Sequence, residues 1–117
     1  MPPDIIIKRI YEPCLPEDGY RVLVDRIWPR GLSKQDARLD EWNRDIAPST
    51  ELRKWFDHRA ERFAEFSKRY ESELQASVKD LLRLKEVTHQ QRLCLLYSAR
   101  NELFNQAVVL QQVINSL

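Results

Sequence analysis

The spacing of apolar and polar positions divides the chain into short strands and amphipathic helices. Ile5 to Tyr11 is a β-branched run closed by a loop from Glu12 to Gly19 with two prolines and an Asp-Gly step, which predicts a first strand. Tyr20 to Ile27 predicts a second, with Tyr20, Val22 and Val24 on one face and Leu23 on the other, as in a strand covered on both sides. Pro29 ends it because proline has no N–H for a ladder, and Gly31 adds a permissive backbone position, so the chain bends there. Ser33 is placed to cap a short helical turn to Ala37, whereas Leu39 to Ala47 fits either helix or strand, with Leu39, Trp42 and Ile46 at helical steps.

Ser49 or Thr50 caps a helix running to about His58, with Glu51 at the positive end of its dipole. One long helix is expected from about Ala60 to Val87, where Phe63, Phe66, Tyr70, Leu74, Val78 and Leu81 recur every three or four residues. Arg92 to Ser98 encloses Leu93 to Tyr97, a continuous apolar run of the kind found in a buried parallel strand. Residues 98–101 then lead into a last helix with Asn101 as its cap and Glu102 in its first turn. From Leu103 to Leu117 that segment has no ionisable side chain, so it is expected to be buried by its own domain or by a second subunit, and it is a candidate homodimer interface. The pattern predicts a single α/β domain over residues 1–117, a small central, mostly parallel sheet of about three to four strands flanked by helices.

At 117 residues the chain is long enough to bury roughly two-thirds of its unfolded surface without staples. Its 19 basic and 18 acidic residues leave a net charge of +1, so no global field draws in nucleic acid or an anionic membrane, and anion recognition must be local. Pro2, Pro3 and Asp4 before the first apolar run lack the basic flank of a signal peptide, and that run lacks the length of a membrane helix. The expectation is a cytoplasmic protein with no membrane contact. Cys14 and Cys94 fit no zinc spacing and are expected to be reduced, and His58 and His89 lie far apart, so no metal and no cofactor is expected.

The candidate chemistry lies where strands end. Arg26, Trp28 and Arg30 lie where the chain leaves the second strand and Arg100 follows the last, so parallel strands would bring these residues to one edge, where α/β proteins usually bind ligands. Arginine presents a planar fork to phosphate or carboxylate and stacks on aromatic faces. The expected partner is therefore a small anionic molecule held by Arg26, Arg30 and Arg100, with Trp28 stacking and Ser98 and Asn101 donating hydrogen bonds. Asp25 is the candidate for a catalytic base. The plainer alternative pairs these arginines with Asp25, Asp40, Glu41 or Asp45 and makes Trp28 core.

Cys94 and Arg100 have the C-x5-R spacing of cysteine-dependent phosphatases, but Leu95, Leu96 and Tyr97 between them are bulky and would bury the thiol. No Gly-rich phosphate loop, GxSxG elbow or HExxH motif occurs. A different class of function is a nucleic-acid-binding or regulatory module that uses Arg26, Trp28, Arg30, Lys34 and Arg38, which the near-zero net charge disfavours. A third is a protein-interaction domain that uses the uncharged last helix.

Tyr20 to Gly31 (YRVLVDRIWPRG), Ala47 to Phe56 (APSTELRKWF) and Leu95 to Leu110 (LLYSARNELFNQAVVL) together resemble the YeaO-like branch of the bacterial family named domain of unknown function 488, across nearly the whole chain. The resemblance implies a small cytoplasmic α/β domain and no particular reaction. Asn105, in the last block, joins the candidate ligand-binding residues. In the family a His usually follows the Asn that aligns with Asn105, whereas this chain has Gln106, which hydrogen-bonds but does not titrate.

Overall fold

In the computed structural model, which describes residues 3–117, strands β1 (Ile5–Arg9), β2 (Tyr20–Leu23), β3 (Glu41–Trp42) and β4 (Leu93–Tyr97) form one parallel sheet in the order β1-β4-β2-β3. Pro2, read above as part of the leading segment, lies outside those residues. The helices are α1 (Lys34–Ala37), α2 (Thr50–Phe56), α3 (Phe63–Leu74), α4 (Val78–Val87) and α5 (Gln106–Asn115).

β4 is the central strand, and all five of its residues are buried. Ile5 and Tyr20 lie opposite Leu93, and Leu23 lies opposite Leu96. Alternation along the strands sends Val22, Val24, Leu93, Leu95 and Tyr97 into a large core under α2 to α5, and Leu23, Cys94 and Leu96 into a smaller one with Ala37 and Ile10. A fully buried Leu or Val contributes about 1.5–3 kcal/mol, so the larger core anchors the sheet.

The smaller face is closed by a buried ionic cluster. Asp18, 2% exposed, accepts from Lys8 Nζ at 2.9 Å and from Arg21 Nη1 at 2.6 Å, while Arg21 Nε and Nη2 donate to the carbonyls of Arg38 and Ala37. Burial pushes the Asp18 carboxyl upward, but the Leu15 N–H, Lys8 and Arg21 outweigh it and hold the group below the usual aspartate range. This cluster fastens the loop between β1 and β2 to the end of α1.

Three local readings need correction, and one left open between helix and strand is decided. The second strand ends at Leu23 and not Ile27. Val24 N–H still reaches Leu96 O at 3.0 Å, but Arg26 then donates to the carbonyls of Pro48 and Ala47 and draws the chain toward α2. The ambiguous segment from Leu39 contains a two-residue strand, β3. It is held there by Glu41, which accepts from Tyr20 Oη at 2.9 Å and from both terminal nitrogens of Arg83 on α4.

The single helix expected over residues 60–87 is broken. A 3-10 turn at Ala60–Arg62 precedes α3, and another at Gln75–Ser77 separates α3 from α4. A straight helix of that span would run about 42 Å, beyond the 35 Å greatest extent of the molecule. The last helix starts at Gln106 with Asn105 as its cap, because the Asn101 side chain is occupied by a turn of its own, accepting from Leu103 and Phe104 N–H at 2.9 and 3.0 Å. No helix among the described residues is long and apolar enough to cross a membrane.

Candidate functional site

Because every strand runs the same way, the segments that follow them meet at one edge. There, on the side of the larger core, a cavity of about 110 Å³ opens between the residues after β2, those after β4, helix α2 and the first turn of α5. Ile27, Phe56, Phe66 and Phe104 give it apolar walls, and Asp25, Arg26 and Arg53 are its charged members at the wall.

Asp25 is 8% exposed. Its Oδ2 accepts from Ser98 N–H at 3.0 Å, its Oδ1 accepts from Gln106 Nε2, and its backbone carbonyl accepts from the Trp42 indole at 2.7 Å. Burial raises its pKa above the usual aspartate value, and the bonds from Ser98 and Gln106 and the charge of Arg53 only partly offset this. Arg53 projects from α2 one helical step before Phe56. Its Nε is buried without a hydrogen-bond partner, and its guanidinium forms no ion pair among the described residues. A buried N–H left unpaired costs about 1–3 kcal/mol unless something fills the place.

A wider, open cleft adjoins the cavity, lined by Arg9, Tyr11, Arg30, Arg100 and Asn101. His58, Ser98 and Ala99 line both spaces and so connect them. Arg9 Nε donates to Ala99 O at 3.0 Å, and the Arg30 carbonyl accepts from Tyr11 Oη at 2.7 Å. The guanidinium groups of Arg30 and Arg100 themselves have no hydrogen-bond or ion-pair partner among the described residues, and no carboxylate lines the cleft. Asp57 and His58 hold φ values of +49° and +55°, a left-handed pair that costs non-glycine residues of order 1–3 kcal/mol each. That bend sets His58 between cavity and cleft.

The candidates from the sequence are thus distributed over several places. Asp25, Arg26, Ser98 and Asn105 border the cavity, and Arg30, Ser98, Arg100 and Asn101 border the cleft. Arg26 uses Nε and Nη2 on the carbonyls of Pro48 and Ala47, and Asn105, 1% exposed, caps α5 and donates to Asn101 O at 2.9 Å. Trp28 is not brought to this edge. It packs against the smaller core, 5.1 Å from Trp42 in an edge-to-face pair, and its indole donates to Leu32 O at 2.6 Å.

Of the other carboxylates considered for these arginines, Asp40 and Glu41 are bonded elsewhere, to Arg21 N–H and to Arg83, and Asp45 lines neither space. Cys94 points into the smaller core, where burial pushes its thiol up to about 11, and it lines neither space. No group of three or more His, Cys, Asp or Glu that could hold a metal ion occurs among the described residues.

Arg9, Arg53, His58 and Phe104 are members of the site that sequence reasoning missed. The signal for Arg53 lay in the APSTELRKWF block, where an arginine shares a helix face with Phe56, a face otherwise expected to be apolar. His58 carried no signal, because only the left-handed bend turns it toward the strand ends.

The fold and the site define a small parallel α/β domain with an aromatic-walled cavity and an arginine-lined cleft at the carboxyl edge of its sheet. Residues 4–117 match the model of the family described as the inactive DUF488-N3 subclade. The chain is 46% identical over 114 residues to uncharacterized protein YeaO of Escherichia coli (strain K12), covering 97% of this chain and 99% of that one. It is 44% identical over 109 residues to uncharacterized protein Rv3073c of Mycobacterium tuberculosis, covering 93% of this chain and 92% of that one. No solved structure gives a significant match. The chain belongs to the YeaO-like branch of the domain of unknown function 488 family.

Proposed function

We propose that this protein binds a small phosphate- or carboxylate-bearing ligand at the carboxyl edge of its sheet, in the cleft lined by Arg30 and Arg100. The observation that carries this reading is that both guanidinium groups line one cleft with no partner of their own among the described residues. Arg9 adds a third positive charge, and charge-assisted bonds from arginine to an oxyanion are the strong ones among hydrogen bonds.

The reading is of binding without turnover. The matching subclade is described as inactive, and the group facing Asp25 is the Gln106 amide, which does not titrate. A cytoplasmic location is part of the same reading, supported by two cysteines that remain unbridged. Thermal shift of wild type and Arg30→Ala against sugar phosphates, keto acids and nucleotides tests it. A ligand at about one hundred times its Kd adds roughly 2.7 kcal/mol of stability. A shift that disappears in Arg30→Ala supports the cleft, and no shift with any small anion removes it.

A second reading, self-association through residues 103–117, is favoured by Leu103, which is 71% exposed beside the site. Against it, the apolar residues Ala107, Val109, Leu110 and Ile114 of α5 are already buried in their own domain. Sedimentation of wild type and Leu103→Asp over a range of concentrations separates the two.

A further inference from the structure

We propose that cavity and cleft together hold one two-part ligand, a nucleoside monophosphate, with its base ring in the Asp25 cavity and its phosphate at Arg30 and Arg100. The inference rests on the anion-binding reading and specifies its ligand.

The two spaces differ in chemistry. The cavity sets the Asp25 carboxylate against Arg26 and Arg53, with Arg26 already engaged on the Pro48 and Ala47 carbonyls, whereas the cleft has Arg9, Arg30 and Arg100 and no carboxylate among its lining residues. The cleft is therefore the better place for a phosphate, and the cavity, with its charges of both signs and its apolar walls, suits a neutral group.

Phe56, Phe66 and Phe104 give the cavity aromatic walls, and Phe56 and Phe66 stack on each other with centroids 4.3 Å apart. Its volume of about 110 Å³ is smaller than that of an engineered apolar cavity of about 150 Å³ that admits benzene. It has room for no more than one six-membered ring.

The polar atoms restrict that ring further. Asp25 is an acceptor fixed in place by Ser98 N–H and Gln106 Nε2, and Arg53 is a donor whose Nε has no partner. An acceptor and a donor in one aromatic-walled cavity match a ring that offers both an N–H and an acceptor at its edge, as nucleobases do. Keto acids lack the ring, and a sugar alone would present hydroxyl groups to three phenylalanines. His58 and Ser98 line both spaces, so the sugar linking ring and phosphate would pass between them.

The test is calorimetric titration of the full chain at low ionic strength with the four common ribonucleoside 5′-monophosphates, ribose 5-phosphate and inorganic phosphate. At least one nucleotide is expected to bind about tenfold or more tightly than ribose 5-phosphate. Asp25→Asn should reduce that ratio to about threefold or less, and so should Arg53→Ala, a variant that removes no hydrogen bond of the fold and stands in if Asp25→Asn fails to fold. Arg100→Ala should weaken nucleotide and ribose 5-phosphate alike. Equal affinity of wild type for ribose 5-phosphate and every nucleotide overturns the ring assignment while leaving the anion cleft standing. A ratio unchanged in Arg53→Ala also overturns it, and no binding of any phosphate removes both readings.

Discussion

Asp25, after the second strand, accepts the Ser98 backbone N–H, after the fourth, at 3.0 Å across 73 residues of sequence. The bond ties two strand ends together just where they cease to pair as a ladder, and it holds a carboxylate at the cavity wall.

Burial raises the Asp25 pKa above its unfolded value, so the folded state binds that proton more tightly than the unfolded chain does. The stability linked to this group is fully present below the unfolded value of about 3.9 and declines as pH rises through the folded value. Asparagine carries no such proton. The melting temperature of Asp25→Asn relative to wild type is therefore expected to rise between about pH 4 and about pH 7. A difference that stays constant across that range would show that the carboxyl is not raised.

Gln106→Leu removes the donor to Asp25 Oδ1 and leaves part of the carboxylate without a partner. The expected cost is about 1–3 kcal/mol in chemical denaturation near neutral pH, with the Asp25 titration moving further upward by NMR. An unshifted titration would mean that the amide does not hold the charged form.

Arginines at the edge should separate by role. Arg26→Ala loses two bonds to carbonyls and is expected to destabilise by about 1.5–3 kcal/mol. Arg30→Ala and Arg100→Ala remove side chains with no partner in the fold, and their stabilities should stay within about 0.5 kcal/mol of wild type. In the binding assay Arg30→Ala should cost about 1.5–3 kcal/mol of anion affinity. Urea denaturation of the three variants in parallel checks the contrast.

Gly19 and Gly31 both have positive φ, yet their replacement by alanine should differ. A Cβ on Gly19 would lie 2.3 Å from the Arg92 carbonyl oxygen that receives the Tyr20 N–H, whereas a Cβ on Gly31 meets nothing within 4 Å. Gly31→Ala should cost about 1–2 kcal/mol for the left-handed backbone alone. Gly19→Ala adds a clash at the β2–β4 junction and should be clearly less stable in thermal melts. Equal melting temperatures would contradict the close approach.

Glu41 titrates in the opposite sense to Asp25. Burial pushes it upward, but the bonds from Arg83, Tyr20 and Asn43 outweigh that and lower its pKa. Its contribution is present above the unfolded value of about 4.3 and is lost as pH falls through the folded one. Arg83→Met should accordingly flatten the acid side of the stability profile, and an unchanged acid limb would place the acid sensitivity elsewhere.

Sequence alone determined the parts whose signal is periodic or local. The β-branched runs at Ile5 and Tyr20, the continuous apolar run at Leu93, and the caps at Ser33 and at Ser49 or Thr50 specify elements through side-chain alternation and unpaired amides, which need no knowledge of distant partners. The same locality made the strand-end arginines visible.

Tertiary structure decided whatever depends on which element lies beside which. The order β1-β4-β2-β3 puts Ser98 next to Asp25, turns Trp28 to the far face, and brings Arg53 of α2 to the cavity wall. Neither periodicity nor spacing encodes such pairings, because they arise from packing two faces of one sheet. The break between α3 and α4 fits the dimensions of the whole domain, and the left-handed bend at Asp57 and His58 sets His58 between cavity and cleft, each against the preference of the local chain.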